Sequence, residues 1–163
     1  MDSSERLTRI ERLLAGLPGP YGNGHLWAWT RFADGEDPFP FVFAFLSDGG
    51  VIDSASSFGG PARAPQDGEE LAACLTEVDQ DTAFAVLVGM VSRTLAYGVR
   101  GRYRVDKAQE VFGKLITLLG HGTRWWTNTD RDSWNPVTRH TMDALVVGTG
   151  GGVLVVVLAA DED

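Results

Sequence analysis

The sequence predicts an α+β fold in which helices pack on one face of a mainly antiparallel sheet of five or six strands. Segments with apolar residues at helical spacing alternate along the chain with segments that have the two-residue period of strands. Two pairs of strand-like segments are separated only by glycine-rich turns, which favours antiparallel pairing. Because 163 residues is the length of one ordinary domain, we expect residues 1–163 to form a single globular domain.

Helical spacing and capping residues predict one helix at the N-terminus and another in the second half of the chain. Apolar residues recur at helical intervals over residues 3–15, and Asp2 is suited to cap the first turn. Asp106 is a similar cap for a helix that continues to Leu119, where Gly120 can end it. Each helix has one apolar face, so we expect both to pack against the sheet.

Two further helices are predicted between these. Asp67 precedes apolar residues at helical spacing that extend through Cys74 to Val78. Residues 82–97 are apolar almost all round, and this run is longer than a usual strand. We therefore predict a buried helix there, with a strand over residues 84–91 as the alternative.

Strand periodicity is clear in the first third of the chain. Residues 25–33 alternate between two faces, and residues 39–47 place a phenylalanine at alternate positions with apolar residues between them. A strand that is apolar on both sides is covered on both sides, so we place residues 39–47 at the centre of the sheet. The turn at residues 48–50 contains two glycines, which predicts that residues 51–57 return as a third strand.

A hairpin is predicted at the C-terminus, where residues 143–148 and 153–160 flank a glycine-rich turn. The apolar run in residues 153–160 should also lie in the middle of the sheet. The glycines do not match a dinucleotide-binding loop, because Val153 stands where that motif needs glycine. Residues 99–105 would present three arginines on one side if they were extended.

Composition restricts the class of protein. The chain has one cysteine, so neither an intrachain disulfide nor a cysteine-based zinc cluster is expected. We predict no secretory leader and no membrane span, because charges interrupt the N-terminus and glycines interrupt the apolar run over residues 144–160. Twelve arginines against two lysines suggest a GC-rich bacterial genome, and we expect a cytoplasmic location.

The net charge of −8 conceals a basic region. Residues 1–92 carry five basic and fourteen acidic side chains, residues 93–139 carry nine and four, and residues 140–163 carry none and four. Within the basic region arginines lie between tryptophans: Arg124, Trp125, Trp126, Arg131, Trp134 and Arg139. Indole and guanidinium groups are common anchors of protein interfaces. This Trp/Arg segment is our candidate binding site, and the alternative is that its tryptophans pack against one end of the sheet.

These residue types favour a non-catalytic domain that binds another protein. Small acidic bacterial proteins often neutralise a partner, so an immunity- or antitoxin-like role is expected by analogy. A second hypothesis is nucleotide or nucleic-acid binding by Arg100, Arg102, Arg104 and the tryptophans. The acidic total disfavours extended nucleic acid, because phosphate contacts depend on cationic side chains.

The third hypothesis is a metal-dependent hydrolase. Asp130, Asp132, His140 and Asp143 offer the oxygen and nitrogen atoms that a divalent cation accepts. Their spacing is unspecific, and no serine or cysteine lies in a nucleophile motif. We therefore assign no catalytic residue, metal ligand or cofactor.

Overall fold

The structure is a computed structural model that describes residues 1–21, 24–33, 35–52, 65–93, 95, 101–129, 137–138 and 142–161. Within these residues the strands are β1 (Gly19–Tyr21), β2 (Gly24–Phe32), β3 (Thr76–Val78), β4 (Arg124–Thr127), β5 (Met142–Gly150) and β6 (Val153–Asp161). They form one antiparallel sheet in the order β1-β2-β6-β5-β4-β3. The predicted α+β class with an antiparallel sheet is confirmed.

The helices of the described residues are α1 (Ser3–Leu14), α2 (Phe39–Asp48), α3 (Gly68–Ala73), α4 (Gln80–Ser92) and α5 (Val105–Leu119). The side chains of Asp2, Asp67 and Asp79 each accept a hydrogen bond of 2.7–2.8 Å from a backbone N–H three residues later, which caps α1, α3 and α4. None of the helices in the described part of the chain is long and apolar enough to cross a membrane.

The helices lie on both faces of the sheet. The sequence had predicted helices on one face only. Every residue of β6 is buried, and its side chains alternate between two cores. The first core lies under α1, α4 and α5, and the second lies under α2 and α3. A strand that is apolar on both sides needs cover on both sides, so α2 and α3 complete the fold.

Residues 39–47, predicted as a central strand, belong to helix α2. The two positions that are fully buried, Val42 and Leu46, lie four residues apart, as on one face of a helix. Pro38 and Pro40 fit the first turn of a helix, where backbone N–H groups have no intrahelical partner. Pro40 would instead remove a hydrogen bond from a central strand. The prediction was wrong because the alternation of phenylalanines resembles a strand period.

The glycines after α2 end the helix and do not turn a hairpin. Gly50 has a φ of +70°, and the backbone N–H groups of Val51 and Ile52 donate to the carbonyl of Leu46 at 2.9 and 3.1 Å. Val51 and Ile52 are buried in the second core but are not in a strand. The rest of the predicted third strand, residues 53–57, lies outside the described residues.

Several boundaries also differ from the prediction. Val78, expected in a helix with Cys74, lies in the edge strand β3. Helix α5 begins at Val105, one residue before the predicted cap. Residues 101–104 are not in a strand, and the first two residues of that predicted segment, 99 and 100, lie outside the described ranges.

The remaining predicted elements are confirmed. Helix α1, strand β2, helix α5 and the hairpin of β5 and β6 lie within a few residues of their expected bounds. Helix α4 confirms the helical interpretation of the apolar run that starts at residue 82, over the part of it that is described. Strand β6 pairs with β2 on one side and β5 on the other, so it lies in the middle of the sheet as expected.

A buried tyrosine ties the N-terminal hairpin to the end of β6. The Tyr21 hydroxyl donates to Oδ1 of Asp161 at 3.1 Å, and the Leu95 N–H donates to Oδ2 of the same carboxylate at 2.6 Å. Burial, together with the negative charge of Asp161 and this hydrogen bond, raises the pKa of Tyr21. Because the folded-state pKa is raised, the burial of neutral Tyr21 and its contact with Asp161 stabilise the protein below the ordinary tyrosine pKa of about 10, and this contribution is lost as the pH rises through the folded-state pKa.

An alkaline titration tests this contact. Of the three tyrosines, Tyr21 should ionise only at a pH above the usual range, and the Tyr21→Phe variant should lack this late increase in tyrosinate absorbance. The variant should also lose about 1–2 kcal/mol of unfolding free energy at neutral pH, because an acceptor oxygen of the buried Asp161 loses its donor. Tyr103→Phe is the control and should keep the late component. Identical titration of the wild type and Tyr21→Phe would contradict the assignment.

Candidate functional site

The two described tryptophans of the Trp/Arg segment are buried in β4. Adjacent residues of a strand face opposite sides of the sheet. Trp125 therefore lies in the first core with 1% of its surface exposed, and Trp126 lies in the second core with 8% exposed. Trp126 meets the ring of Phe39 edge to face, with 5.4 Å between ring centroids. Both indoles therefore pack in the cores of the protein. Four other residues predicted for the site lie outside the described residues: Arg100, Arg131, Trp134 and Arg139.

Arg124 is the exposed end of this segment. Its Nε and Nη2 atoms donate to the two carboxylate oxygens of Glu77 at 2.9 and 3.1 Å, which joins β4 to the edge strand β3. The guanidinium also lies 4.9 Å from the ring centroid of Trp126. The hydrogen bonds from Arg124 lower the pKa of Glu77, which keeps this exposed pair ionised.

Arg102 and Arg104 lie far from β4, at the start of α5. The Arg102 guanidinium donates to the carbonyl of Gly16 at 3.2 Å. Both arginines, with Tyr103 and Lys107, line an open cavity of about 520 Å³. Lys107 lies over the ring of Tyr103, with its Nζ atom 4.4 Å from the centroid. The structure therefore separates these arginines from the described tryptophans.

Asp143 is the described member of the proposed metal site, and its carboxylate is fully engaged by the protein. It accepts hydrogen bonds from Asn128 Nδ2 at 2.7 Å, from the N–H and hydroxyl groups of Thr138 at 2.8 Å, and from the N–H of Val137 at 3.1 Å. Asn128 in turn accepts from the Leu145 N–H at 2.8 Å. Burial raises the pKa of Asp143, and these donors oppose the rise. The arrangement anchors residues 137–138 to β5.

The other proposed metal ligands, Asp130, Asp132 and His140, lie outside the described residues. Among the residues that the structure describes, no group of three or more histidine, cysteine, aspartate or glutamate side chains is placed to hold a metal ion. Cys74 is half-buried at the end of α3, and burial, together with the charges of Asp143 and Glu70, raises the pKa of its thiol. A thiol with a raised pKa is a poor nucleophile.

The glycine cluster forms the tight turn between β5 and β6. Gly151 and Gly152 have φ values of +57° and +79°, which is the conformation of a two-residue hairpin loop. The carbonyl of Gly151 accepts hydrogen bonds from Ser3 Oγ at 3.0 Å and from Arg6 Nη1 at 2.9 Å. These contacts fix the start of α1 to the turn, so the predicted hairpin turn is confirmed.

An aromatic and arginine surface lies where α2 meets β2, at the margin of the second core. The ring of Trp29 on β2 stacks on Phe45, with centroids 5.7 Å apart and planes inclined by 4°. The guanidinium of Arg31 lies 3.6 Å from the ring centroid of Phe41. All four side chains are partly exposed. We call Trp29, Arg31, Phe41 and Phe45 the aromatic–arginine surface.

Arg31, Phe41 and Phe45 were not among the residues predicted for the site, although one signal was available. Trp29 and Arg31 share one face of the predicted strand over residues 25–33. Phe41 and Phe45 were assigned to the sheet core because residues 39–47 resembled a strand. Recognition of Pro40 as a residue of a first helical turn would have moved these rings toward the surface.

Acidic side chains predominate in the helices on this face of the sheet. The described residues of α2, α3 and their flanks, 35–52 and 65–75, carry six acidic side chains and no basic one. The six are Glu36, Asp37, Asp48, Asp67, Glu69 and Glu70, and all except the half-buried Glu70 are exposed. The second face therefore combines partly buried aromatic rings with a negative field.

No protein-family model matches the chain, and none of the curated proteins compared with it matches either.

Proposed function

We propose that this chain is a non-catalytic domain that binds a basic protein through the aromatic–arginine surface. The observation that carries the proposal is the set of paired contacts in which Trp29 stacks on Phe45 and Arg31 lies over Phe41. Large aromatic rings and arginine are the residues that contribute most binding energy in protein interfaces.

The paired contacts also hold these side chains in place before a partner binds. A ring that is stacked on another ring, or a guanidinium that lies over a ring, has few other rotamers. Ordering such a side chain on binding therefore costs little conformational entropy. Phe39, Trp126 and Arg124 form a separate set of contacts at β4, which β6 and β5 separate from β2 in the sheet.

The charge of this face indicates the chemistry of the partner. The six acidic side chains of α2, α3 and their flanks outnumber Arg31 of this surface, and an excess of negative charge attracts a basic surface and speeds its association. The aromatic rings then supply the apolar contact that holds the complex. The proposed partner is therefore a protein with a basic patch that surrounds an apolar one.

The composition supports a bacterial, cytoplasmic setting for this binding. Arginine greatly outnumbers lysine, and the chain has one cysteine. An acidic domain that covers the basic site of another bacterial protein is the arrangement expected of an immunity or antitoxin protein. That assignment is by analogy and is part of the proposal.

The test begins with capture from the lysate of a bacterial host, after nuclease treatment and a high-salt wash. The captured protein is purified, and its affinity for the wild type and for the Phe41→Ala and Phe45→Ala variants is measured by calorimetry. Each substitution should weaken binding by about 2 kcal/mol, or roughly thirtyfold, because it removes a ring from the centre of the interface.

Val105→Ala is the matched control. Val105 is 51% exposed and lies on α5, which covers the opposite face, so its substitution should leave the affinity unchanged. Unfolding curves show whether each variant is folded. Equal affinity of the wild type and both phenylalanine variants, or a captured protein without a basic surface, would contradict the proposal.

The second candidate function is nucleotide binding at the cavity lined by Arg102, Arg104 and Lys107. The observation in its favour is that three cations and one carboxylate, Asp106, line about 520 Å³ of space, and cationic side chains bind phosphate. Salt separates the two functions, because phosphate contacts weaken steeply as ionic strength rises and an apolar protein interface does not. Nucleotide that is released by the high-salt wash would favour this candidate.

A further inference from the structure

We infer that the open edge of β2 pairs with the same edge of a second copy of this chain, so that two sheets join across residues 28–32. The inference does not depend on the proposed function, although Trp29 and Arg31 of β2 also belong to the aromatic–arginine surface. It rests on the backbone groups of this edge and on the side chains beside it.

In the described part of the chain no strand pairs with residues 28–32 on this edge, because β1 is much shorter than β2. Strand β1 pairs only with residues 24–26 of β2. The Ala33 N–H donates to Gly152 beside β6 at 3.0 Å, and backbone groups alternate between the two sides of a strand. The N–H and carbonyl groups of Ala28, Thr30 and Phe32 therefore point away from β6, toward a side on which the described residues supply no strand. The Phe32 carbonyl accepts from Nε of Arg31 at 2.8 Å, so a partner strand would use its second lone pair or displace this side chain.

The opposite edge of the sheet is protected in a way that the β2 edge is not. Strand β3 has three residues. Glu77 at its centre forms a salt bridge with Arg124. Short edge strands and edge charges are the usual means by which proteins prevent unwanted pairing. The open part of β2 ends in Phe32, which is 47% exposed. Few large hydrophobic side chains among the described residues are as exposed as this one.

A two-fold axis through Thr30 gives the register with the best complementarity. In this register Ala28 lies opposite Phe32 of the second copy, and Trp29 lies opposite Arg31 of the second copy. A small residue then faces a large one, and a guanidinium faces an indole. Three hydrogen-bonded pairs form, at Ala28, Thr30 and Phe32, which gives about six hydrogen bonds between the strands.

The neighbouring registers are less favourable. An axis through Arg31 places two guanidinium groups opposite each other, and like charges in that position are destabilising. An axis through Trp29 leaves Phe32 outside the pairing and loses about two hydrogen bonds. The pairing through Thr30 uses every outward-facing backbone group of the open edge.

Sedimentation of the purified full-length protein tests this pairing. A five-residue strand pair forms a small interface, so we expect a dimer with a micromolar dissociation constant, and the mean mass should rise from one chain toward two with concentration. Phe32→Lys places a charge on the edge, and Thr30→Pro removes an outward-facing N–H. Each variant should weaken dimerisation at least about tenfold.

Val105→Lys is the matched control, since Val105 is exposed to a similar degree, 51% against 47% for Phe32. It should dimerise like the wild type. Amide hydrogen exchange locates the interface: the N–H groups of residues 28, 30 and 32 should exchange more slowly as the wild-type concentration rises, but not in Phe32→Lys.

A wild-type protein that stays monomeric over the whole concentration range would overturn the inference. So would a dimer that survives Phe32→Lys, or one that leaves exchange at residues 28, 30 and 32 unchanged, because each places the contact elsewhere. A monomer that still binds its basic partner would remove this inference and leave the proposed function in place.

Discussion

Asp143→Ala is expected to destabilise the protein by about 3–5 kcal/mol, a large part of the roughly 5–15 kcal/mol that stabilises a domain. The buried carboxylate accepts from Asn128, Val137 and Thr138. Alanine would leave these donors without their acceptor, and each buried donor that loses its partner costs about 1–3 kcal/mol. Urea unfolding measures the difference.

Two further variants define the origin of this effect. Asp143→Asn keeps one acceptor oxygen and should lose less stability than Asp143→Ala. Asp48→Ala is the control, because Asp48 is exposed in the last turn of α2 and should change the unfolding free energy by less than about 0.5 kcal/mol. An Asp143→Ala variant that unfolds like the wild type would contradict the structural role of this carboxylate.

The same experiment addresses the metal-dependent hydrolase hypothesis. A cation that binds the folded protein raises its unfolding midpoint by an amount that grows with the logarithm of its concentration divided by its dissociation constant. Since the Asp143 carboxylate already has protein donors on both oxygens, we expect magnesium, calcium or zinc to leave the wild-type midpoint unchanged. A midpoint that rises with metal and loses this response in Asp143→Asn would support the hydrolase.

Sequence periodicity predicted elements whose local pattern and tertiary environment agree. Helix α5 has one apolar face and one polar face, and β6 is an uninterrupted apolar run beside a glycine turn. Helix α2 was missed because alternating phenylalanines match a strand period. The deciding residue was Pro40, which a first helical turn accepts and a central strand does not.

The candidate site was harder to predict, because it depends on contacts between distant parts of the chain. Trp125 and Trp126 are consecutive residues of a strand, so both can be buried only if both faces of the sheet are covered. The cover over Trp126 comes from α2, whose helical state was not recognised. Likewise, the partner of Arg124 is Glu77, 47 residues away, and no local pattern connects the two.

The contact between Trp125 and Gly148 gives the second prediction with a large effect. Trp125→Ala should destabilise the protein by about 3–5 kcal/mol, because it removes a large side chain from the first core. The alternative role for this residue, a contact with a partner, predicts weaker binding with little change in unfolding free energy. Urea unfolding therefore distinguishes packing from recognition at this position.

Gly148 tests the same contact from the other strand. A methyl group at Gly148 would lie less than 3.0 Å from ring carbons of Trp125, so Gly148→Ala should cost about 1–3 kcal/mol. Gly113→Ala on α5 is the matched control, since a methyl group there meets nothing within 4 Å, and alanine favours a helix by about 0.5–1 kcal/mol.

The double variant decides whether the two residues act through each other. Once Trp125 is alanine, the ring that excludes a methyl group from residue 148 is gone, so Gly148→Ala should then cost close to nothing. The coupling free energy of the cycle would equal most of the cost of Gly148→Ala alone. If Gly148→Ala lowers the unfolding free energy equally in the wild type and in Trp125→Ala, then glycine is required at position 148 by the backbone conformation. Contact with the indole would not be the reason.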